Sequence, residues 1–136
     1  MVLSIALFLG MLYQHFSDQL MTELETETWL VAQGVELNGM DYLDGLNTEN
    51  RVTWVDRDGT VLYDTVSFDS VADVSEMENH GDREEIQQAL TDQSGTARRY
   101  SSTLAQQTLY AARRLSDGTV IRVASAQQTV VTLLLS

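Results

Sequence analysis

The chain is apolar at both ends and acidic between them. Val2 to Tyr13 (VLSIALFLGMLY) is almost wholly apolar, and Val130 to Leu135 (VVTLLL) is apolar again. The stretch between them carries the turn, helix and strand signals of a water-soluble body. That pattern fits a domain held between two membrane spans. A crossing needs about 20 apolar residues. The first run is shorter, so residues 1–13 read as part of a first span. Residues 126–136 read as an exit helix and the start of a second. A signal peptide fits less well, because no basic n-region precedes the run and no small-x-small site follows it. The plain alternative is an apolar helix buried in a soluble core.

The 136 residues suit one domain, residues 14–125 between the two ends. The formal charge is -12. All eight basic residues are arginine, and none precedes Arg51. This balance argues against binding DNA, RNA or an anionic membrane surface, because phosphate contacts need clustered positive charge. The pairs Arg98-Arg99 and Arg113-Arg114 are too small to reverse it. There is no cysteine, which excludes disulfides, thiol catalysis and cysteine-bound zinc. There is no proline, so turns rely on Gly, Asp, Asn and Ser.

The spacing predicts one long helix over residues 5–38. Leu9, Leu12, Phe16, Leu20, Leu24, Val31 and Val35 recur at steps near three and four, with Thr28 filling the gap. Asp18, Glu23, Glu25 and Glu27 occupy the opposite face. A narrow stripe that outlasts the apolar run predicts a parallel homodimer seam through Leu9, Leu12, Phe16, Leu20, Leu24 and Val31. The same stripe could instead pack on its own sheet. Asn38-Gly39 is a helix stop, and residues 39–50 read as irregular.

Two strands follow, residues 51–56 and 60–65, joined by Arg57-Asp58-Gly59. Asp-Gly between alternating strands is a hairpin signal. Residues 66–81 form an acidic connection with a helical turn around 75–80. Asp82-Arg83-Glu84-Glu85 reads as a capping box, with Asp82 accepting from the Glu85 amide and Glu85 reaching back. It would start a short helix bearing Ile86, Ala89 and Leu90, which Ser94-Gly95 ends. Three strands complete the body, residues 96–101, 107–115 and 119–125, with Ser116-Asp117-Gly118 repeating the hairpin device. The expected fold is α+β: a five-stranded antiparallel sheet with a long N-terminal helix and short flanking helices.

Val52-Thr53-Trp54-Val55-Asp56-Arg57-Asp58-Gly59-Thr60-Val61-Leu62-Tyr63-Asp64-Thr65 resembles the opening hairpin of extracytoplasmic PAS-like sensor domains. Met77-Glu78-Asn79-His80 and Asp82-Arg83-Glu84-Glu85-Ile86 resemble the helical stretch of those domains in PhoR-type transmembrane sensor histidine kinases. Arg99-Tyr100-Ser101, Leu109-Tyr110-Ala111-Ala112 and Leu115 to Val123 match the closing strands in style. The resemblance spans about residues 50–125. Gly81 and Glu84 stand where a larger apolar residue and a proline are common. The resemblance implies an extracytoplasmic PAS-like domain at the cell membrane, a homodimer, and a cytoplasmic kinase beyond this fragment, which itself is not an enzyme. It names no signal. Other readings are the sensor domain of a chemoreceptor or cyclase, or a pilin-like structural subunit. The absence of a Glu early in the apolar run and the apolar C-terminus speak against a pilin.

Tyr63, Arg98, Tyr100, Tyr110 and Arg113 are the candidate ligand residues, because they lie on strands that would line a PAS-like pocket and Arg with Tyr can hold a carboxylate or phosphate. Strand alternation puts only one of each arginine pair on a given face. Surface arginines paired with acidic neighbours are the plainer reading. Asp64, Asp69, Asp73, Glu76, Glu78, Asp82, Glu84 and Glu85 crowd around Arg83 alone. Oxygen ligands of that kind allow a weak response to a divalent cation, although a solvated acidic face is the default and no cofactor or metal site is expected. His80 lacks a nucleophile, a second ligand and an oxyanion donor, so its expected role is structural.

Overall fold

The computed structural model describes residues 2–65, 77–101 and 106–128. Helix α1 runs over Val2–Asn38 and is followed by a five-residue helix α2, Met40–Asp44. The strands are β1 (Arg51–Val55), β2 (Val61–Asp64), β3 (Ser94–Ser101), β4 (Gln106–Arg114) and β5 (Val120–Gln128), with helix α3 (Glu84–Asp92) between β2 and β3. The sheet is antiparallel throughout, in the order β2-β1-β5-β4-β3. This is the PAS-like α+β architecture expected from the sequence.

The sheet packs α1 on one face and α3 on the other. Alternation along each strand separates the two sets of side chains. Val52, Tyr63, Leu109, Ala111, Ile121 and Val123 form a core with Met21, Leu24, Val31, Ala32 and Val35 of α1. Val55, Ala112 and Val120 meet Ile86 and Ala89 of α3. The buried stripe of α1 is Ser17, Met21, Leu24, Thr28, Val31 and Val35, with steps of four and three. Leu24 and Val31, expected in a dimer seam, are therefore core residues of the chain's own sheet. Leu20 is half-buried against the same core. Leu9, Leu12 and Phe16 remain exposed. No helix among the described residues is long and apolar enough to cross a membrane.

Both Asp-Gly turns form. Gly59 and Gly118 adopt φ of 90° and 89°, a region open to glycine. Asp58 accepts from the Thr60 amide at 3.0 Å and Asp117 from the Thr119 amide at 2.9 Å. The Asn79-His80-Gly81 segment closes on the first turn. The His80 amide donates to the Gly59 carbonyl at 2.9 Å, and Asn79 Nδ2 to the Asp58 carbonyl at 2.8 Å.

Four local expectations are corrected. Residues 40–44 are helical, because Leu43 folds into the core and Tyr42 lies flat against Gly34. Residues 77–80 are not helical; the His80 amide donates to the Gly59 carbonyl of the hairpin instead. The capping box does not form: α3 starts after Arg83 with no side-chain cap, and Glu85 turns inward to the sheet. Ala126 to Gln128 extend β5 rather than beginning an exit helix, because Gln106 to Thr108 of β4 pair with them. The rest of that exit segment, residues 129–136, and Asp69, Asp73 and Glu76 of the acidic connection lie outside the described residues.

Candidate functional site

The α3 face of the sheet carries a continuous chain of polar side chains, buried at its centre and open to solvent at its Arg51 and Arg99 ends. Arg122 projects from the central strand β5, flanked by Ile121 and Val123 on the other face. One guanidinium nitrogen, Nη1, donates to Glu85 Oε1 at 3.2 Å, and Nη2 donates to Thr53 Oγ1 at 3.3 Å. Thr53 passes its own proton on to Asp64 Oδ2 at 3.0 Å. Arg51 then grips Asp64 with Nε at 3.0 and 3.1 Å and Nη2 at 2.8 Å. At the other end Arg99 pairs closely with Glu85 Oε2. Thr53, Asp64 and Glu85 are 0% exposed and Arg122 is 3% exposed.

Tyr110 completes the cluster. Its ring centroid lies 4.1 Å from the Arg99 guanidinium carbon and 5.1 Å from that of Arg122, within cation–π reach. Arg122 Nε has no hydrogen-bond partner among the described residues. The chain ends beside a cavity of about 470 Å³ whose lining includes Arg51, Tyr110, Thr108 and Asn50.

The electrostatics follow from burial and pairing. Burial pushes the Glu85 carboxyl up, but the hydrogen bond from Arg99, a backbone bond and the charges of Arg99 and Arg122 outweigh it, so the group is held below the usual carboxylate range. His80 is buried with Nδ1 2.8 Å from the Glu78 carbonyl oxygen. Burial first, and then the charge of Arg122, pull its imidazole below the ordinary value.

The five residues expected to hold a ligand do not converge. Tyr110 alone joins the buried cluster. Tyr63 packs in the α1 core, with its hydroxyl 3.3 Å from the Leu43 carbonyl oxygen. Arg98 points to α1 and pairs with Asp18 at 3.0 Å. Tyr100 is 59% exposed, and Arg113 lies in a groove beside Trp29 of α1. Alternation predicted that Arg98 and Arg99 would part; it could not say which faced α3. Arg122 did leave a signal in the sequence, a lone charge at an inward position of an otherwise apolar central strand. In the sequence Glu85 reads as a cap and, with Asp64, as part of the acidic cluster, while Thr53 reads as an ordinary hairpin residue.

No group of three His, Asp or Glu side chains among the described residues is placed to hold a metal. Asp64 and Glu85 are taken by arginines. Glu78 lies 3.8 Å from Arg83.

The sequence matches no protein-family model and no curated protein. Among solved structures, the chain is similar to the extracellular domain of the candidate histidine kinase rpHK1S-Z16, with 17% identity and a TM-score of 0.45, over 73% of this chain and 39% of that one. It thus spans well under half of that neighbour's length. A likeness so distant bears on neither ligand nor output.

Proposed function

We propose that this chain is the extracytoplasmic signal-sensing domain of a membrane-bound, PhoR-type two-component sensor histidine kinase, anchored in the membrane through both ends and working as a homodimer. The carrying observation is the division of labour along α1. Its C-terminal half is core to the sheet, while Val2 to Leu12 offers a run of exposed apolar side chains beyond it. The helix has 37 residues and so measures about 55 Å at ~1.5 Å per residue. A helix shared in this way is a lever: whatever tilts it against the sheet also displaces its far end.

The sheet offers a place where a stimulus could act. The Arg51–Asp64–Thr53–Arg122–Glu85–Arg99 chain ties β2, β1, β5, β3 and α3 together on the face away from α1. A ligand in the cavity beside Arg51 and Tyr110 would compete for these partners. It shifts the equilibrium only by its differential affinity for the two arrangements. Such a role uses recognition and movement, and asks for no catalysis from this fragment.

The dimer seam in this reading lies on the exposed side of α1. Leu9, Phe16, Leu30 and Leu37 are exposed and stand seven or fourteen residues apart, with Glu23 at the intervening position, a heptad spacing of the kind a two-helix seam uses. Phe16→Asp and Leu12→Asp in the full-length receptor test this: dimerisation and signalling should fall while the domain's thermal midpoint stays unchanged. Unaltered dimerisation and signalling in both would remove the seam and the lever with it.

A further inference from the structure

The chain's entire basic complement is eight arginines, in a molecule of net charge -12. Five of them, Arg51, Arg83, Arg98, Arg99 and Arg122, are ion-paired with carboxylates. The other three, Arg57, Arg113 and Arg114, form no ion pair among the described residues. All three line one groove of about 660 Å³, at the end of the sheet where the two Asp-Gly turns lie side by side. Carboxylates outnumber arginines in this chain, yet the arginines without one among the described residues share a single site.

The two carboxylates in the groove are already engaged by neutral donors. Glu36 Oε1 accepts from the Ser116 amide at 2.6 Å and from Ser116 Oγ at 2.8 Å. Asp117 Oδ1 accepts from the Thr119 amide at 2.9 Å and from Thr119 Oγ1 at 2.6 Å. The charge of Arg57 does reach Asp117, adding to the hydrogen bonds from Thr119 that hold its carboxyl low. Arg114 spends one nitrogen on the Leu90 carbonyl at 2.9 Å. Three arginines and two carboxylates thus line the groove.

Three further details fit a site. Arg57 lies over Gly118, where an added Cβ would sit 2.6 Å from its Cδ. The side chain thus lies along the second turn. Trp29 of α1 forms a wall of the groove and is 42% exposed, so its indole face is open to a bound molecule. Gln93, which also lines the groove, has φ of 76° at the end of α3. Glycine or asparagine is the ordinary choice there.

We infer that this groove binds a small organic anion bearing two or more carboxylates, with its charges on Arg57, Arg113 and Arg114 and its carbon skeleton against Trp29. Guanidiniums take carboxylates and phosphates by the same charge-assisted, often bidentate hydrogen bonds; the indole wall selects the organic anion over an inorganic one. The groove volume matches that of sites for small ligands. The site is separate from the cavity beside Arg51, which touches the other end of β4, and it stands whether or not the chain is a sensor.

Calorimetric titration of the protein at low ionic strength with phthalate, citrate and inorganic phosphate tests the assignment. Phthalate or citrate should bind with one-to-one stoichiometry and more tightly than phosphate, with a change in tryptophan fluorescence that disappears in Trp29→Phe. The double variant Arg57→Gln/Arg113→Gln should weaken binding at least about tenfold, the loss of one charge-assisted bond or more. Arg98→Gln, at an ion pair outside the groove, should bind as the parent does. If the double variant fails to fold, Arg57→Gln alone, at an exposed position, should still weaken binding. Failure of both carboxylates to bind, tighter binding of phosphate, or binding that survives loss of the groove arginines would each overturn the inference. None of those results touches the dimer seam on α1.

Discussion

Single side chains decide whether the buried charge chain is a liability or a brace. Glu85 neutralises Arg99 and Arg122 together, and Arg122 is almost wholly enclosed. Removing Glu85 leaves a buried guanidinium unpaired. Glu85→Gln should therefore destabilise the fold by about 3–5 kcal/mol in urea unfolding at neutral pH. The exchange of Glu85 and Arg122 together for methionine should be far milder, because the desolvation of both charges disappears with their attraction. Titration adds a second check. The folded-state value of Glu85 is depressed, so its contribution is present above the ordinary carboxylate value and is lost as pH falls through the folded one. Glu85→Gln should remove that part of the acid sensitivity. His80 is also depressed, and for a base the neutral form is then the favoured folded form. Its cost is absent above the ordinary imidazole value of 6.5 and grows as pH falls below it. Unfolding midpoints of His80→Gln, followed from about pH 8 to about pH 5, should fall less steeply than those of the parent.

The elements differ in how plainly the sequence announced them. The two Asp-Gly hairpins were legible because the motif has a local cause: aspartate caps the turn and glycine takes the positive φ. The two glycines are nonetheless not equivalent. A Cβ on Gly59 would meet Asn79 Oδ1 at 2.2 Å and the Gly81 backbone at 2.4 Å, whereas on Gly118 it would meet the flexible stem of Arg57. Gly59→Ala should cost about 2 kcal/mol or more by chemical denaturation, and Gly118→Ala less. Helix α1 was legible in extent, but its partner was not. Periodicity gives a stripe, and a stripe does not say whether it meets a sheet or a second helix. Leu24 and Val31 belong to the sheet, so Leu24→Ala should lower stability by about 2–5 kcal/mol without any direct effect on association. The capping box failed for a similar reason. The helix begins one residue later than the box requires, so Glu85 stands at its second position, and two arginines from distant strands draw its carboxylate across to the sheet.

At the scale of the whole molecule, the sheet divides two tasks that no local pattern could separate. One face is apolar and holds α1; the other holds a buried ionic chain and α3. Fold class followed from the order of helix and strand signals. The candidate site did not, because it is assembled from β1, β2, β3, β4, β5 and α3, and its members are brought together only by strand pairing. The choice of Arg99 over Arg98 rests on one residue of register, which places Arg99 opposite Thr108 on the face shared by Tyr110.

The central claim is that α1 turns one side to its own sheet and the other to a second copy. These 136 residues contain no cysteine, so, under the proposed reading, single cysteines can be introduced one at a time along α1 of the full-length protein, with any cysteine elsewhere replaced. Disulfide formation between copies should peak at Leu9, Leu12, Phe16, Leu30 and Leu37 and be absent at Met21, Leu24, Val31 and Val35. Crosslinking that peaks at the buried set, or that shows no periodicity along the helix, would contradict the account.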